Sequence, residues 1–484
     1  MAAVTMGSNS RRAFIFTYGC QMNVYESAVM KRILQRRGYL LADSPDEADL
    51  VILNTCSVRN RPERKVFGRL AELSKAKASR PQMRIVVSGC MAQLRATELR
   101  RRFPLDGIFG PRNLGEFEAF LEREEQGREQ QVIATCLESH PFVGTTPAVE
   151  PGSASAFVSI MEGCSNFCSY CIVPYVRGPE LTRPMEDVVG EITALVAEGV
   201  KEVTLLGQNV NAYGRDIVAQ GPSSKKTGPP SRWADFSPAC SAARADLKVC
   251  ATPFAPQGVP FSELLRRVCQ VQGLVRLRFT TSHPKDFGAD IIRAVAELPQ
   301  ACEDFHLPIQ SGDDEILRRM GRGYTLDDYR SLVAQIRAAV PDAAISTDVM
   351  VGFPGETDEQ FGNTLSAFEE IRFDQAFMFI YGDRPGTAAS QMAGKVSREV
   401  AVQRLQRLSE LQNRISREIN EAQVGSVFEV LIEGPSEKNP ALLSGRTRTN
   451  KLVHFPAPPA LQGKVVQVRA EKAHLWGFIG QLVT

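Results

Sequence analysis

The chain has 484 residues, 43% of them hydrophobic, and a formal net charge of +2. That length predicts two to four domains with real cores. The near-neutral balance excludes a bulk polycation, so any nucleic-acid contact must come from local patches. Residues 1–12 have no apolar core or small-residue cleavage site, and Arg11 and Arg12 are too few for organelle targeting. No apolar run reaches the ~18 residues that a membrane helix needs, so no membrane association is expected. A reducing, cytoplasmic setting follows, in which eleven cysteines point to metal or catalysis rather than disulfides.

In chain order, the first module is expected at 11–145. Strand-like runs at 13–17, 50–53 and 84–88 end in Tyr18-Gly19-Cys20-Gln21-Met22-Asn23, Asn54-Thr55-Cys56 and Gly89-Cys90-Met91-Ala92. Helical stretches follow, with Asn23 as the expected N-cap of the first. The repeat of strand, Cys, helix predicts a doubly wound parallel sheet, whose post-strand residues gather at one edge beside helix N-termini. Cys20, Cys56 and Cys90 would meet there, with helix ends favouring the thiolate. They are therefore candidate ligands of an iron–sulfur cluster with one open iron. The bland alternative is three unrelated core cysteines. Residues 60–80 are basic, either a solvated helix face or a weak RNA contact, and 121–155 read as a linker.

The central module, expected at 153–395, opens on Met161-Glu162-Gly163-Cys164-Ser165-Asn166-Phe167-Cys168-Ser169-Tyr170-Cys171. A closed zinc site takes four protein ligands. Three thiolates, spaced C-x3-C-x2-C, can instead hold three corners of a four-iron cluster and leave the fourth open. No second CxxC or Cys/His pair lies nearby to complete a zinc ribbon. The spacing, with Tyr170 before the last Cys, resembles the radical S-adenosylmethionine (SAM) superfamily. That resemblance implies a [4Fe-4S] cluster on Cys164, Cys168 and Cys171, SAM on its open iron, and an open (β/α)6 barrel. Runs at 203–209, 274–279, 305–312, 344–357 and 377–381 alternate with helical segments, as such a barrel requires. Gln208, Asn209, Ser282, His283, His306, Gln310, Ser311, Asp348 and Gly352 fall near strand ends and are candidates for SAM or substrate contact. Strand-end polar residues also cap turns. Arg177 is a candidate for steadying a carboxylate or phosphate. Residues 214–258, rich in Gly, Pro and Ser, interrupt the repeat as an expected mobile insert, and Cys240 and Cys250 within it are read as non-ligands.

A helix is expected over 395–421, with Leu408, Leu411, Ile415 and Ile419 on one face. Beyond Gly425, short β runs at 427–432, 451–455, 465–469 and 478–483 predict a small β-barrel over 424–484. That stretch holds seven Lys/Arg against four Asp/Glu, with Arg446, Arg448 and Lys451 on one hairpin. It resembles a TRAM domain, which makes these three the candidate RNA contacts.

All three modules in this order resemble the methylthiotransferase family. The strings Tyr18 to Asn23, Met161 to Cys164 and Thr281-Ser282-His283-Pro284 are closest to the tRNA-2-methylthio-N(6)-dimethylallyladenosine synthase (MiaB) branch. The resemblance implies transfer of a methylthio group to carbon 2 of N(6)-dimethylallyladenosine at position 37, beside the anticodon. It implies two [4Fe-4S] clusters, SAM, a tRNA anticodon loop as substrate, and an electron donor such as flavodoxin or ferredoxin. A monomer is expected. Alternatives are methylthiolation of threonylcarbamoyl-adenosine or of a ribosomal-protein aspartate, and, from another class, an iron–sulfur RNA-binding regulator.

Overall fold

A computed structural model describes residues 11–57, 60–128, 131–139, 141–215 and 258–483. Cys240, Cys250 and nearly all of the expected insert lie outside the described residues.

Strand β1 (Arg12–Thr17) sends Ala13 and Ile15 to one face and Phe14 and Phe16 to the other. Helix α1 (Gln21–Arg36) follows, then β2 (Leu40–Leu41), β3 (Leu50–Thr55), α2 (Asn60–Ser79), β4 (Arg84–Gly89), α3 (Cys90–Arg102), β5 (Gly107–Phe109), α4 (Leu114–Glu125) and β6 (Val132–Ala134). The six strands form one sheet in the order β2-β1-β3-β4-β5-β6, every pair parallel. Both faces are apolar because helices cover both. Val29, Ile33 and Phe117 from α1 and α4 pack on one side, and Val66, Leu70 and Leu99 from α2 and α3 on the other. The linker expected at 121–155 begins too early: α4 runs to Glu125 and β6 is the sheet's last strand. Three apolar residues are too short a run to read as a strand without the neighbour that pairs with them.

The central module holds β7 (Ser155–Ser159), β8 (Met161–Glu162), α5 (Val173–Arg177), β9 (Leu181–Thr182), α6 (Met185–Ala197), β10 (Glu202–Leu206), β11 (Arg276–Phe279), β12 (Asp304–His306), β13 (Ala344–Val351) and β14 (Gln375–Ile380). Strands β7, β10 and β11 form one parallel sheet, and β12, β13 and β14 another. A parallel bridge from Leu277 to Ala301 joins the two into a wall. No pairing joins β7 to β14 among the described residues, so the barrel is open, as expected.

A helix over Arg398–Glu421 leads to a closed barrel of β15 (Val427–Pro435), β16 (Leu443–Thr447), β17 (Leu452–Phe455), β18 (Val465–His474) and β19 (Gly477–Leu482). The sequence reading lacked β16, whose run Leu-Ser-Gly-Arg-Thr has little apolar content. This barrel docks at the N-terminal end of the central strands. Arg276, the first residue of β11 and fully buried, pairs with Glu429 at 2.8 Å and donates to the Arg446 carbonyl. Arg278 donates to the carbonyls of Thr447 and Arg448.

Candidate active site at two cysteine trios

The first trio is assembled by sheet register. Thr17 lies beside Asn54, and Asn54 beside Ser88, so β1, β3 and β4 end in one row. The strand order reverses between β1 and β3, and this switch point is where open α/β sheets leave a crevice. Cys20 and Cys56 flank it, and Cys90 comes one strand further along. Two glycines permit the approach. A Cβ on Gly19 would stand 2.5 Å from the Cys56 Cβ, and one on Gly89, at φ +89°, would stand 2.3 Å from the Thr55 carbonyl oxygen. Cys20, not Asn23, is the N-cap of α1. Asn23 sits at the third helical position instead. Its Oδ1 accepts from the Cys20 backbone N–H, and its Nδ2 donates to Asn54 and the Thr55 carbonyl.

The Cys20 thiol is drawn down to about 5, chiefly by its hydrogen bond with Cys56, helped by Arg177 and the start of α1. Cys90 goes the other way, to about 11, because complete burial outweighs its place at the start of α3. The expected thiolate preference therefore holds at one helix end and not at the other.

The second trio lies on the loop between β8 and α5. The Cys164 N–H donates to the Gly178 carbonyl and the Cys171 N–H to Cys168. Ser169 is held from both sides, donating to Met320 and accepting from Ala389. Cys164 and Cys168 are 8% exposed. Burial pushes the Cys164 thiol up to about 12 and the Cys171 thiol up as well. Thiols so raised stay protonated unless a cation displaces the proton, and a metal centre would bind them as thiolates. Among the described residues no three His, Cys, Asp or Glu side chains converge on a single ion. A cube of four irons takes one thiolate at each of three separate corners, so it does not require such convergence.

The strand-end candidates separate into groups. Gln208 accepts from the Gly163 N–H and so holds the cysteine loop. Asn209 donates to Asp286 at 2.7 Å and accepts from the His283 N–H at 3.2 Å. Asp286 also accepts from Asn166, inside the cysteine loop. The Ser282 hydroxyl and His283 Nε2 are buried with no hydrogen-bond partner among the described residues, the condition a polar ligand would relieve. Gln310, at φ +65°, joins its backbone to Asp348 and Met350. Ser311 accepts from the Asp313 N–H and touches Thr364, which is the work of a turn. Gly352, at φ +72°, donates its N–H to Glu356, and a Cβ there would meet Ala401 at 2.9 Å. Asp348 faces His306 at 3.6 Å.

The hairpin candidates are engaged within the chain. Arg448 forks onto Glu303 at 2.7 Å, Arg446 bonds Glu433 and Asn450, and Lys451, 7% exposed, reaches Asp374 and Asn420. Arg448 and Lys451 hold one barrel to the other, whereas the Arg446 side chain pairs within the small barrel. Sequence reasoning saw the charge but not the carboxylates, which come from far along the chain. Of the basic run at 60–80, Arg69, Lys77 and Arg80 have partners, whereas Arg64, Lys65 and Lys75 are exposed.

Two arginines complete the picture. Arg177, 3% exposed, donates Nε–H to the Cys90 sulfur at 3.3 Å and pairs with Glu26 at 2.8 Å and Glu162 at 2.7 Å. Arg322, 5% exposed, donates to the Cys168 sulfur at 3.5 Å and to the Pro308 carbonyl. Arg322, Glu26 and Glu162 were not singled out from sequence. Glu162 could have been, since it stands two residues before Cys164.

Two parallel α/β layers, each ending in three thiols, and a small closed barrel define an iron–sulfur protein of the radical SAM class. Residues 12–110 match Uncharacterized protein family UPF0004, 158–368 the Radical SAM superfamily and 421–483 the TRAM domain. The fold resembles that of a radical S-adenosylmethionine methyltransferase, TsrM, from Kitasatospora setae, with TM-score 0.50 and 13% identity over 87% of this chain and 81% of that one. Relatives over the whole length narrow the class. The tRNA-2-methylthio-N(6)-dimethylallyladenosine synthase of Carboxydothermus hydrogenoformans is 43% identical over 97% of this chain and 99% of its own. The synthase of the same name from Symbiobacterium thermophilum is 41% identical over 99% and 95%. The chain belongs to this synthase family.

Proposed function

We propose that the chain is a tRNA methylthiotransferase that places a methylthio group on carbon 2 of N(6)-dimethylallyladenosine at position 37. The observation that carries this reading is the pair of cysteine trios on adjoining modules, linked through Arg177. Cys164, Cys168 and Cys171 would hold a [4Fe-4S] cluster that binds SAM. Cys20, Cys56 and Cys90 would hold a second one. When bound, cluster and SAM supply a carbon-centred radical, which can take hydrogen from an unactivated C–H that no side-chain acid or base can deprotonate.

The chain's residues do the rest. Burial of Cys56, Cys90, Cys164 and Cys168 limits water at the reacting centres, with the half-buried Cys20 and Cys171 on the accessible side of each trio. Ser282, His283 and Asn209 present polar atoms beside the loop of the second trio, where the SAM polar groups would lie. His283 is held neutral, pushed down to about 3 by burial and by Arg322, so it offers a lone pair or an N–H rather than a charge. Asp348 and His306, 3.6 Å apart, would face the base. Base delivery requires extrusion from the loop of the RNA.

The working parts are 11–145, 153–395 and 424–484, the last contacting tRNA. The reductant would be a flavodoxin or ferredoxin, the protein a monomer, and its place the cytoplasm. The described residues contain no helix long and apolar enough to cross a membrane. The test is mass spectrometry of tRNA from a strain lacking the protein and complemented with variants. The wild type restores 2-methylthio adenosines. Cys168→Ala restores none and forms no 5′-deoxyadenosine in purified protein. Cys56→Ala still cleaves SAM yet restores none. Undiminished 2-methylthio adenosines in the deletion strain would refute the reading.

A further inference from the structure

Arg177 is the side chain that the proposed chemistry does not use. It leaves α5 six residues after Cys171, and crosses from the radical SAM loop into the first module. Its three nitrogens are divided among three partners on two modules: Cys90 Sγ at 3.3 Å, Glu26 at 2.8 Å and Glu162 at 2.7 Å. A guanidinium fork has a fixed geometry, so each of these contacts constrains the other two. The contact to Cys90 is directional, because the two carboxylates leave Nε with one place to point. The other trio has the same device, with Arg322 donating to Cys168 at 3.5 Å while the Pro308 carbonyl and the Tyr324 hydroxyl hold its remaining nitrogens. Each trio therefore has one sulfur that accepts from a buried arginine.

Hydrogen bonds to cluster sulfurs are among the means by which a protein sets reduction potential, since they stabilise the more negative, reduced state. They also fix the direction in which a ligand presents its metal. A purely structural arginine would need only the two carboxylates. The third contact, to a sulfur, has no packing function that an apolar side chain of that size would not serve as well.

We propose that Arg177 is a positioning residue for the auxiliary centre: its Nε–H on the Cys90 sulfur raises that centre's reduction potential, and its two carboxylates tie the centre's orientation to the loop carrying Cys164. This rests on the reading of Cys20, Cys56 and Cys90 as cluster ligands. Arg322 would act in the same sense on Cys168, which makes the two centres separately tunable.

The test uses the full chain with Cys164, Cys168 and Cys171 changed to alanine, reconstituted anaerobically, so that only the first trio holds iron. Well above pH 7, where Glu26, raised by burial to about 7, is ionised, the double variant Arg177→Met/Glu26→Gln removes one positive and one negative charge together, so the local net charge is kept and the sulfur contact is lost. At a fixed potential the ratio of reduced to oxidised cluster, followed by electron paramagnetic resonance, should fall about tenfold, equivalent to about 59 mV for one electron. A second measurement needs no substitution at Arg177. With 15N-arginine in the otherwise unlabelled chain, pulsed resonance on the reduced cluster should show a 15N coupling in place of a 14N one. An unchanged ratio, or no arginine coupling, would make Arg177 a strut and overturn the inference. Absence of iron from the parent alanine protein would overturn the cluster reading itself, which is a separate result.

Discussion

His283 shows how one side chain can report on its surroundings. It is 6% exposed and faces Arg322, Lys285, Asp286 and the ring of Tyr324. Its folded value lies near 3 because burial and Arg322 both oppose the cation. An unfolded chain takes up a proton near the ordinary 6.5, which the native site refuses until about 3. Between those values the unfolded state binds more protons, so stability falls as pH falls through that window and is unaffected above it. At pH 5 the difference is about 2 kcal/mol. The loss of unfolding free energy in urea between pH 7 and pH 5 should therefore be smaller in His283→Gln than in the parent by about 2 kcal/mol, and equal pH dependence in both would show that His283 is protonated in the native state.

Among the elements, the strand-to-helix turns carry the greatest constraint. The run Ser88-Gly89-Cys90 passes from β4 into α3 without a spare residue. Gly89 makes this possible at φ +89°, with the Thr55 carbonyl where a side chain would be. In Gly89→Ala the methyl group must push β3 and β4 apart, at a cost of about 1–3 kcal/mol. The displaced Cys90 should then cost the protein its first-trio iron while the Cys164 trio keeps its own. Iron and sulfide analysis after reconstitution would read about half the parent value, and a full complement would mean that the turn tolerates the methyl. The strand, Cys, helix rhythm was legible because apolar runs and Gly-Cys turns are local signals. Cys20 as the helix cap was not, because Asn is the commoner cap and the choice depended on how Asn23 is drawn toward Asn54. For the same reason β6 and β16 went unseen, as each is made a strand by its neighbours.

At the scale of the whole molecule, three modules are joined by buried arginines. Arg183 pairs with Glu191 and reaches Tyr25, Arg112 donates to the Pro179 carbonyl, and Arg276 and Arg278 root the small barrel. Residue spacing gave the order of modules and both trios, since that information lies within short windows. It gave none of these joints, because each pairs residues more than sixty positions apart or turns on which face of a strand is covered. Arg276 is fully buried, pairs with the partly exposed Glu429 and donates to the carbonyls of Glu429 and Arg446, while Glu202 keeps Arg278 at 3.1 Å, so Arg276→Met removes the joint's hydrogen bonds without stranding a buried charge. A loss of about 1–3 kcal/mol is expected. Limited proteolysis should release the 424–484 fragment sooner than from the parent, and unaltered resistance would show that the apolar contacts alone hold the joint.

The small barrel joins the central wall where its strands begin, and the thiols lie where they end. A strand of β13's length, eight residues, spans roughly 26 Å. A polymer that touches both places must stretch along that flank, so a lone nucleoside can fill the reaction chamber without ever gripping the far end. On the proposed function, an RNA held at both places would have to span that length, and a shorter stem-loop would give up the far contact.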